Sequence, residues 1–115
     1  MHELSIAMSI VDFVAEESSR LGAESVDAVH LKLGALSGVV CDALLFSFDL
    51  AATGTIAGGS RLVIEEVPVR IFCPQCQEAR PVPSIQQLCC EECGAPSSDI
   101  IQGQELLVTA LEIRP

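Results

Sequence analysis

The sequence has no tryptophan or tyrosine, and only four phenylalanines among 115 residues. Half of the residues are nevertheless hydrophobic, so any core must consist mainly of leucine, valine, isoleucine and alanine. This is enough apolar material for one ordinary core. The length fits one domain, or one small domain with a subdomain too small to carry its own core.

Basic residues are also scarce. Six lysines and arginines stand against 16 aspartates and glutamates, which gives a formal net charge of −10 at pH 7. Nucleic-acid binding proteins need a basic face to replace counterions, and those that bind single strands add aromatic side chains for stacking. We therefore expect no nucleic-acid partner, and expect proteins with basic patches or metal cations instead.

Signals for a membrane, for secretion and for catalysis are missing as well. No apolar run is long enough to span a bilayer, and the start, Met1-His2-Glu3, lacks the basic region of a secretory signal. No nucleophile with a partner base and no phosphate-binding glycine loop is recognisable. We expect a cytoplasmic protein that is not an enzyme and has no membrane partner. In such a reducing compartment clustered cysteines usually bind metal.

Four of the six cysteines form two Cys-x-x-Cys pairs, Cys73 with Cys76 and Cys90 with Cys93. Each pair directs two sulfurs at one point, and together they supply the four thiolates of a tetrahedral structural Zn²⁺ site. Gly94 follows the last cysteine and allows the positive φ that such a loop needs. The alternatives at this stage are a disulfide pair or a redox-active Cys-x-x-Cys.

The other candidate ligands are weaker. Cys89 is a spare thiol near the predicted metal, because only its neighbour Cys90 has the two-residue spacing to Cys93. Cys41 lies among apolar residues and is expected to behave as a small buried hydrophobe. His30 lies on the polar face of a predicted strand and is expected to be solvated.

Hydrophobic periodicity predicts an α+β fold. Spacings of three and four predict helices, and alternation predicts strands. The predicted helices are 3–21 and 41–52, and the main predicted β segments are 26–33, 61–72 and 106–113. We expect two helices packed on a small mixed sheet of about three strands, with a zinc-ribbon-like subdomain inserted before the last strand. The boundaries predicted for the two parts are 1–70 with 104–115, and 71–103.

The chain terminus is a second candidate metal site. The Met1 amine, the His2 backbone nitrogen and the His2 imidazole can form fused chelate rings that suit square-planar Ni²⁺ or Cu²⁺. The first N–H groups of a helix have no intrahelical acceptor, so metal binding here breaks no helix bond. Glu3 offsets the positive end of the helix. A histidine at position two is, by itself, usually only a solvated residue.

Several segments, in order, resemble the HypA/HybF family of hydrogenase maturation nickel metallochaperones. They are MHELS at 1–5, LGALS at 33–37, the helix around 44–48, GTIAGG at 54–59 and the two cysteine pairs. The resemblance covers essentially the whole chain. It implies a nickel-binding domain (1–70 with 104–115) and a zinc domain (71–103). It also implies nickel delivery to the large-subunit precursor of a nickel-iron hydrogenase, together with the accessory GTPase HypB, by a monomer or weak homodimer.

The resemblance also implies roles for individual residues. His2 is the indispensable nickel ligand, and Glu3 influences nickel transfer and partner choice. The four paired cysteines hold zinc. Some family members have a carboxylate near the start of the second helix that approaches nickel, and Asp42 is the candidate here. Two other functions remain open, a zinc-ribbon protein–protein interaction module without a nickel role and a thiol redox protein.

Overall fold

The computed structural model describes residues 2–115. In chain order the elements are α1 (Glu3–Arg20), β1 (Ser25–Gly34), α2 (Cys41–Ala52), β2 (Arg61–Val67), β3 (Arg70–Cys73), β4 (Glu78–Pro81), β5 (Ile100–Gln102) and β6 (Leu106–Arg114). The chain divides into two compact units. The helical unit contains the residues up to Leu31 with Gly38–Glu65 and Leu107–Pro115, and the cysteine unit contains Lys32–Ser37 with Glu66–Leu106.

The two helices supply much of the core of the helical unit. In α1 one face, with residues at three- and four-residue spacing, is buried (Ile6, Ala7, Ile10, Val11, Val14 and Ser18), whereas Leu4, Met8 and Phe13 are exposed. Gly22 follows with φ 69° and ends the helix. The prediction for α2, 41–52, agrees with the structure. Leu44 and Phe48, two residues of this helix, are fully buried. The buried cluster consists of Ile6, Ala7, Ile10, Val11, Val14, Val26, Val29, Leu31, Leu44, Phe48, Ala52 and Ala57.

The first sheet has the strand order β2-β1-β6, with β1 in the middle. The Glu24 amide donates to the Arg114 carbonyl at 2.8 Å, and the Gly34 amide donates to the Glu105 carbonyl at 2.7 Å. The beginning of β1 thus lies beside the end of β6, so the two strands are antiparallel. The prediction that the last strand joins the first sheet is confirmed.

The predicted β segment 61–72 is two strands in two different sheets. β2 ends at Val67 in the first sheet, and β3 belongs to the second. Pro68 lies between them, and a proline cannot donate to a sheet ladder. At the end of β2, the Val67 carbonyl accepts the Ala35 amide at 2.9 Å. The C-terminal ends of β1 and β2 therefore lie side by side, so these two strands are parallel. Because β6 is antiparallel to β1, the first sheet is mixed, as predicted.

The second sheet carries the cysteines and has the order β4-β3-β5, with both neighbours antiparallel to β3. β3 and β4 form a tight hairpin in which Cys73 pairs with Glu78 and Ile71 pairs with Arg80. The predicted fold class, two helices with a small mixed sheet and an inserted cysteine-bearing segment, is confirmed. The domain boundaries predicted from the sequence stay a prediction.

Two glycines of the cysteine unit allow the backbone to pass very close to itself. A Cβ added to Gly34 would lie 2.2 Å from the Gly103 carbonyl oxygen, far inside any real contact. Gly103 has φ 117°, a conformation that strongly favours glycine. The Leu36 amide donates to the same Gly103 carbonyl at 2.7 Å. These contacts hold the turn before β6 against the loop after β1.

Candidate metal centre

Two turns of the cysteine unit bring the four paired cysteines together. One ligand atom from each of Cys73, Cys76, Cys90 and Cys93 lies within 4.8 Å of all the others. The sulfurs of Cys73 and Cys93 are 3.5 Å apart, and those of Cys76 and Cys90 are 3.9 Å apart. A tetrahedral site with Zn–S bonds of about 2.3 Å needs sulfurs about 3.8 Å apart. The cluster therefore fits zinc.

Each cysteine pair begins with a buried sulfur that accepts a backbone amide. The Cys76 amide donates to the Cys73 sulfur at 3.4 Å, and the Cys93 amide donates to the Cys90 sulfur at 3.5 Å. Cys73 and Cys90 are fully buried, Cys76 is half-buried and Cys93 is exposed. Such N–H donors orient thiolates and stabilise the negative charge on the sulfur, as outer-shell groups do in metal sites.

A left-handed residue closes each turn. Gly94 has φ 77°, as the sequence predicted, and its amide donates to the Cys90 carbonyl at 2.9 Å. In the first pair the equivalent residue is Gln77, with φ 58°, the one non-glycine residue with positive φ between residues 2 and 115. The Gln77 side-chain amide donates to the Pro74 carbonyl. Sequence reasoning missed Gln77, because no glycine marks the position.

Hydrogen bonds separate the thiol pKa values within the cluster. The Cys76 amide is the main cause that lowers the pKa of Cys73 to about 7. The Ala95 amide lowers the pKa of Cys93, but the Cys73 thiol, burial and the other sulfurs outweigh it and raise this pKa to about 12. One thiol thus gives up its proton near neutral pH, which favours binding of a cation.

The two remaining cysteines lie outside the cluster. Cys89 is half-buried and pairs with Pro96 in an isolated bridge, whereas its neighbour Cys90 belongs to the cluster. Cys41 is half-buried at the start of α2 rather than fully buried as expected. No disulfide joins cysteines in the described chain.

At the N-terminus the predicted nickel ligands are placed only in part. Met1 lies outside the described residues. His2 is the N-cap of α1 with extended backbone (φ −81°, ψ 137°), is exposed and makes no side-chain capping bond. Its carbonyl accepts the Ile6 amide at 3.2 Å, the first bond of the helix. Its imidazole therefore takes no part in capping the helix.

Glu3 connects the starts of the two helices. Its carboxylate accepts the Val40 amide at 3.1 Å, and this bond is the main cause that lowers the pKa of Glu3. Asp42 is exposed in the first turn of α2. Between residues 2 and 115 the four cysteines are the one group of metal-binding side chains that converges, so His2, Glu3 and Asp42 do not form a cluster.

His30 and Arg80 are the two other residues with side chains relevant to metal binding. His30 on β1 is half-buried and its Nε2 lies 2.6 Å from Glu112 Oε2 on β6, so it belongs to a surface contact of the first sheet rather than to a metal site. Sequence reasoning also missed Arg80 on β4, where Cys76 is the main cause that raises the pKa of Arg80. A signal was present, because Arg80 is the one basic residue between positions 71 and 113.

Fold and site together define a small two-sheet protein with a metal-binding cysteine cluster. None of the helices in residues 2–115 has the length and apolar character to cross a membrane. A family model described as hydrogenase/urease nickel incorporation, metallochaperone, matches residues 1–113. The chain belongs to this family, the HypA family of nickel metallochaperones in hydrogenase maturation.

Individual relatives agree with this assignment. The hydrogenase maturation factor HypA of Roseiflexus sp. (strain RS-1) is 48% identical over 112 residues, which are 97% of this chain and 91% of the relative. The HypA of Chloroflexus aggregans is 48% identical, with 97% and 98% covered. The solution structure of the Ni metallochaperone HypA from Helicobacter pylori shares the fold, with a TM-score of 0.69, 22% identity, and 99% and 98% covered.

Proposed function

We propose that this protein is a nickel carrier and not an enzyme. It binds one Ni²⁺ reversibly through the Met1 amine and His2, beside Glu3, and delivers it in the cytoplasm to the large-subunit precursor of a nickel-iron hydrogenase. The accessory GTPase HypB is the proposed partner that supplies nucleotide chemistry. The observation that carries the proposal is the exposed, uncommitted imidazole of His2 at the start of α1, in a chain of the nickel metallochaperone family.

The position of His2 suits a chelate that forms and opens easily. As the N-cap, His2 uses its carbonyl in the helix, whereas its backbone nitrogen precedes the helical hydrogen bonds. Amine, amide and imidazole nitrogens in sequence favour square-planar Ni²⁺. Protons compete for the amine and the imidazole, so nickel binding weakens as the pH falls. A site at a chain end can release its ion by moving few atoms.

Glu3 has a supporting role in this proposal. Its bond from the Val40 amide keeps the first turn of α1 next to the start of α2. The carboxylate also offsets the positive helix end that would repel a cation. Asp42 is not placed as a ligand, because it does not converge with His2 and Glu3.

The four clustered cysteines would hold a structural Zn²⁺. Their sulfur separations fit a tetrahedral site, and four protein ligands leave no open position for water or substrate. When bound, zinc supplies folding energy to the cysteine unit and no chemistry of its own. Cys73 and Cys90 would hold the ion from buried positions, and the more exposed Cys76 and Cys93 would supply the other two ligands.

The test is metal content of untagged protein with an authentic Met1. Wild type, His2→Ala and His30→Ala are titrated with nickel, desalted and analysed for nickel and zinc. The chain has two histidines, so His30→Ala is a matched control that removes the same chemical group elsewhere. We expect about one nickel and one zinc in wild type and in His30→Ala, and zinc alone in His2→Ala.

Other results point to other functions. Equal nickel content in wild type and His2→Ala, or none in either, contradicts the nickel site and favours a zinc-ribbon interaction module. Absence of zinc, with thiols that oxidise reversibly in pairs, favours a thiol redox protein. Counting free thiols with and without a chelator distinguishes these two outcomes.

A further inference from the structure

We propose that one edge of the first sheet docks an extended strand of a partner protein, in which apolar residues alternate with lysine or arginine. The docking site is a groove of about 230 Å³ between α1 and β6. It is lined by Phe13, Glu17 and Leu21 on the helix side and by residues 108–111 of β6. We name this site the edge groove. It lies apart from the proposed metal ligands and does not depend on them.

The edge groove runs alongside β6 rather than across one face of the sheet. Successive side chains of a strand point to opposite faces, so a groove that touches the consecutive residues 108–111 follows the strand from its side. No residue of β1 or β2, both of which the structure describes in full, lines the groove. Within residues 2–115, β6 pairs with β1 alone. The groove therefore lies where a further strand of the sheet would be added.

The two edge strands of the first sheet differ in charge. An unpaired edge presents backbone N–H and C=O groups to other chains, and soluble proteins usually guard it with charged side chains. The edge strand β2 is guarded in this way, because Arg61, Glu65 and Glu66 are exposed. In β6, residues 106–111 include no charged side chain, and Leu107 is exposed. The sequence of β6 thus leaves its edge open to pairing.

The helix side of the edge groove offers apolar side chains that the core does not use. Phe13 and Glu17 of α1 and its C-cap Leu21 follow at four-residue spacing, so they lie along one side of the helix. Phe13 is 45% exposed and Leu21 is 51% exposed, and neither belongs to the buried cluster of the helical unit. An added strand would turn every second side chain towards these residues. Apolar residues at alternate positions would cover them.

Charge favours a basic partner over a second copy of this chain. Glu17 is the charged residue among those that line the groove, and its carboxylate pairs with Arg20 at 2.7 Å. Asp12 and Glu16 are exposed on the same part of α1 and leave it with an excess of negative charge. A second copy would bring the same acidic helix and a further net charge of −10. Lysine or arginine in the docked strand would instead complement this surface.

Strand addition sets three requirements for the partner segment. Its backbone N–H groups must be free, because main-chain hydrogen bonds to the sheet edge supply the affinity. Its apolar side chains must alternate, because one face of the added strand meets Phe13 and Leu21 and the other meets solvent. Its remaining side chains must be basic, because α1 beside the groove is acidic. A peptide can be made to fail each requirement separately.

The experiment uses the full chain and a fluorescent probe peptide of nine residues, the length of β6, in which valine alternates with lysine. Matched peptides are N-methylated throughout, or carry the valines and lysines in two blocks, or have glutamate in place of lysine. Phe13→Ala removes a ring from the edge groove, and Phe46→Ala is the control that removes an exposed ring from α2. Fluorescence anisotropy measures binding, and amide NMR shifts locate the peptide.

We expect the probe to bind wild type and to shift the amide signals of residues 108–111. Phe13→Ala should weaken binding by about 10-fold or more, as loss of an interface anchor does, and Phe46→Ala should bind as wild type. The N-methylated and block peptides should show no binding, and the glutamate peptide should bind more weakly than the probe.

Several results would overturn the proposal. The edge groove is wrong if the probe does not bind at millimolar concentration, if the N-methylated or block peptide binds equally well, or if both phenylalanine variants lose equal affinity. Equal binding of the glutamate peptide contradicts a basic partner. Sedimentation of wild type alone tests the second copy: a dimer that the probe dissociates would place another copy of this chain in the groove, whereas a monomer supports a different partner.

Discussion

The two units of this protein differ in the residues that they bury. The helical unit has a continuous buried cluster from both helices and the first sheet, with Phe48, Leu44 and Leu31 fully buried. In the cysteine unit the buried cluster around the site consists of Cys73, Cys90 and Ala95, with Cys76 beside it. Leu33, Val67, Val69 and Ile71 are also buried in this unit, and segments with so few buried apolar residues usually need a metal or disulfides. A short aliphatic chain can thus support a second folded unit if a bound ion replaces the core.

The strongest way to break this comparison is to remove the metal. Bound zinc contributes on the order of 10 kcal/mol to small metal-dependent folds. We expect exhaustive chelation to collapse the NMR dispersion of the second sheet, β3 to β5, while the helical circular dichroism of α1 and α2 remains. Zinc added back should restore the spectrum, and cobalt should give the absorption of a tetrahedral thiolate site.

Chelation that leaves the second sheet fully dispersed would contradict this prediction. It would mean that Val69, Ile71 and the hairpin of β3 and β4 suffice for folding. Both residues are buried, so the measurement decides between apolar burial and metal as the main support of this unit.

The next effect concerns the helical unit. Phe48→Ala removes a fully buried ring from α2 and should lower the free energy of unfolding by about 3 to 5 kcal/mol. The matched control is Phe46→Ala on the same helix, where the ring is 67% exposed and the change should stay within about 0.5 kcal/mol. Urea unfolding followed by far-ultraviolet circular dichroism measures both.

Similar losses in the two phenylalanine variants would show that the exposed face of α2 is covered in solution. Such a result would revise the view that the core alone stabilises this helix. It would also indicate self-association, which depends on protein concentration.

The smallest effect sharpens the comparison within the cysteine unit. Gly94 has φ 77° and nothing lies within 4 Å of an added Cβ, so Gly94→Ala should cost about 1 kcal/mol through backbone strain alone. Gln77 holds the same position in the first turn with φ 58°, and Gln77→Gly should relieve strain and gain less than about 1 kcal/mol. Urea unfolding of zinc-loaded protein should show shifts of opposite sign.

Much of this architecture could be predicted because its signals are local. The spacing of Leu44 and Phe48 defines α2, and the two Cys-x-x-Cys pairs define the cluster. What could not be predicted depends on pairing across the sequence. Pro68 indicated a break, but only the partners of β2 and β3 show that the break separates two sheets.

Side-chain contacts between distant residues were also beyond the sequence. The bond from the Val40 amide to Glu3 joins residues 37 positions apart, and no pattern marks it. The contact between His30 Nε2 and Glu112 Oε2 depends on the pairing of β1 with β6. Both residues were visible in the sequence, but their pairing was not.

The pairing of β1 with β6 has a consequence for the order of events on the ribosome. β1 is the central strand of its sheet, yet one of its neighbours begins only at Leu106. The hairpin of β3 and β4 and all four clustered cysteines are synthesised earlier, and their contacts are mostly local. Local contacts form faster than distant ones, and chains fold during synthesis from the N-terminal end. We therefore expect the nascent chain to bring the four cysteines together while the first sheet is still incomplete.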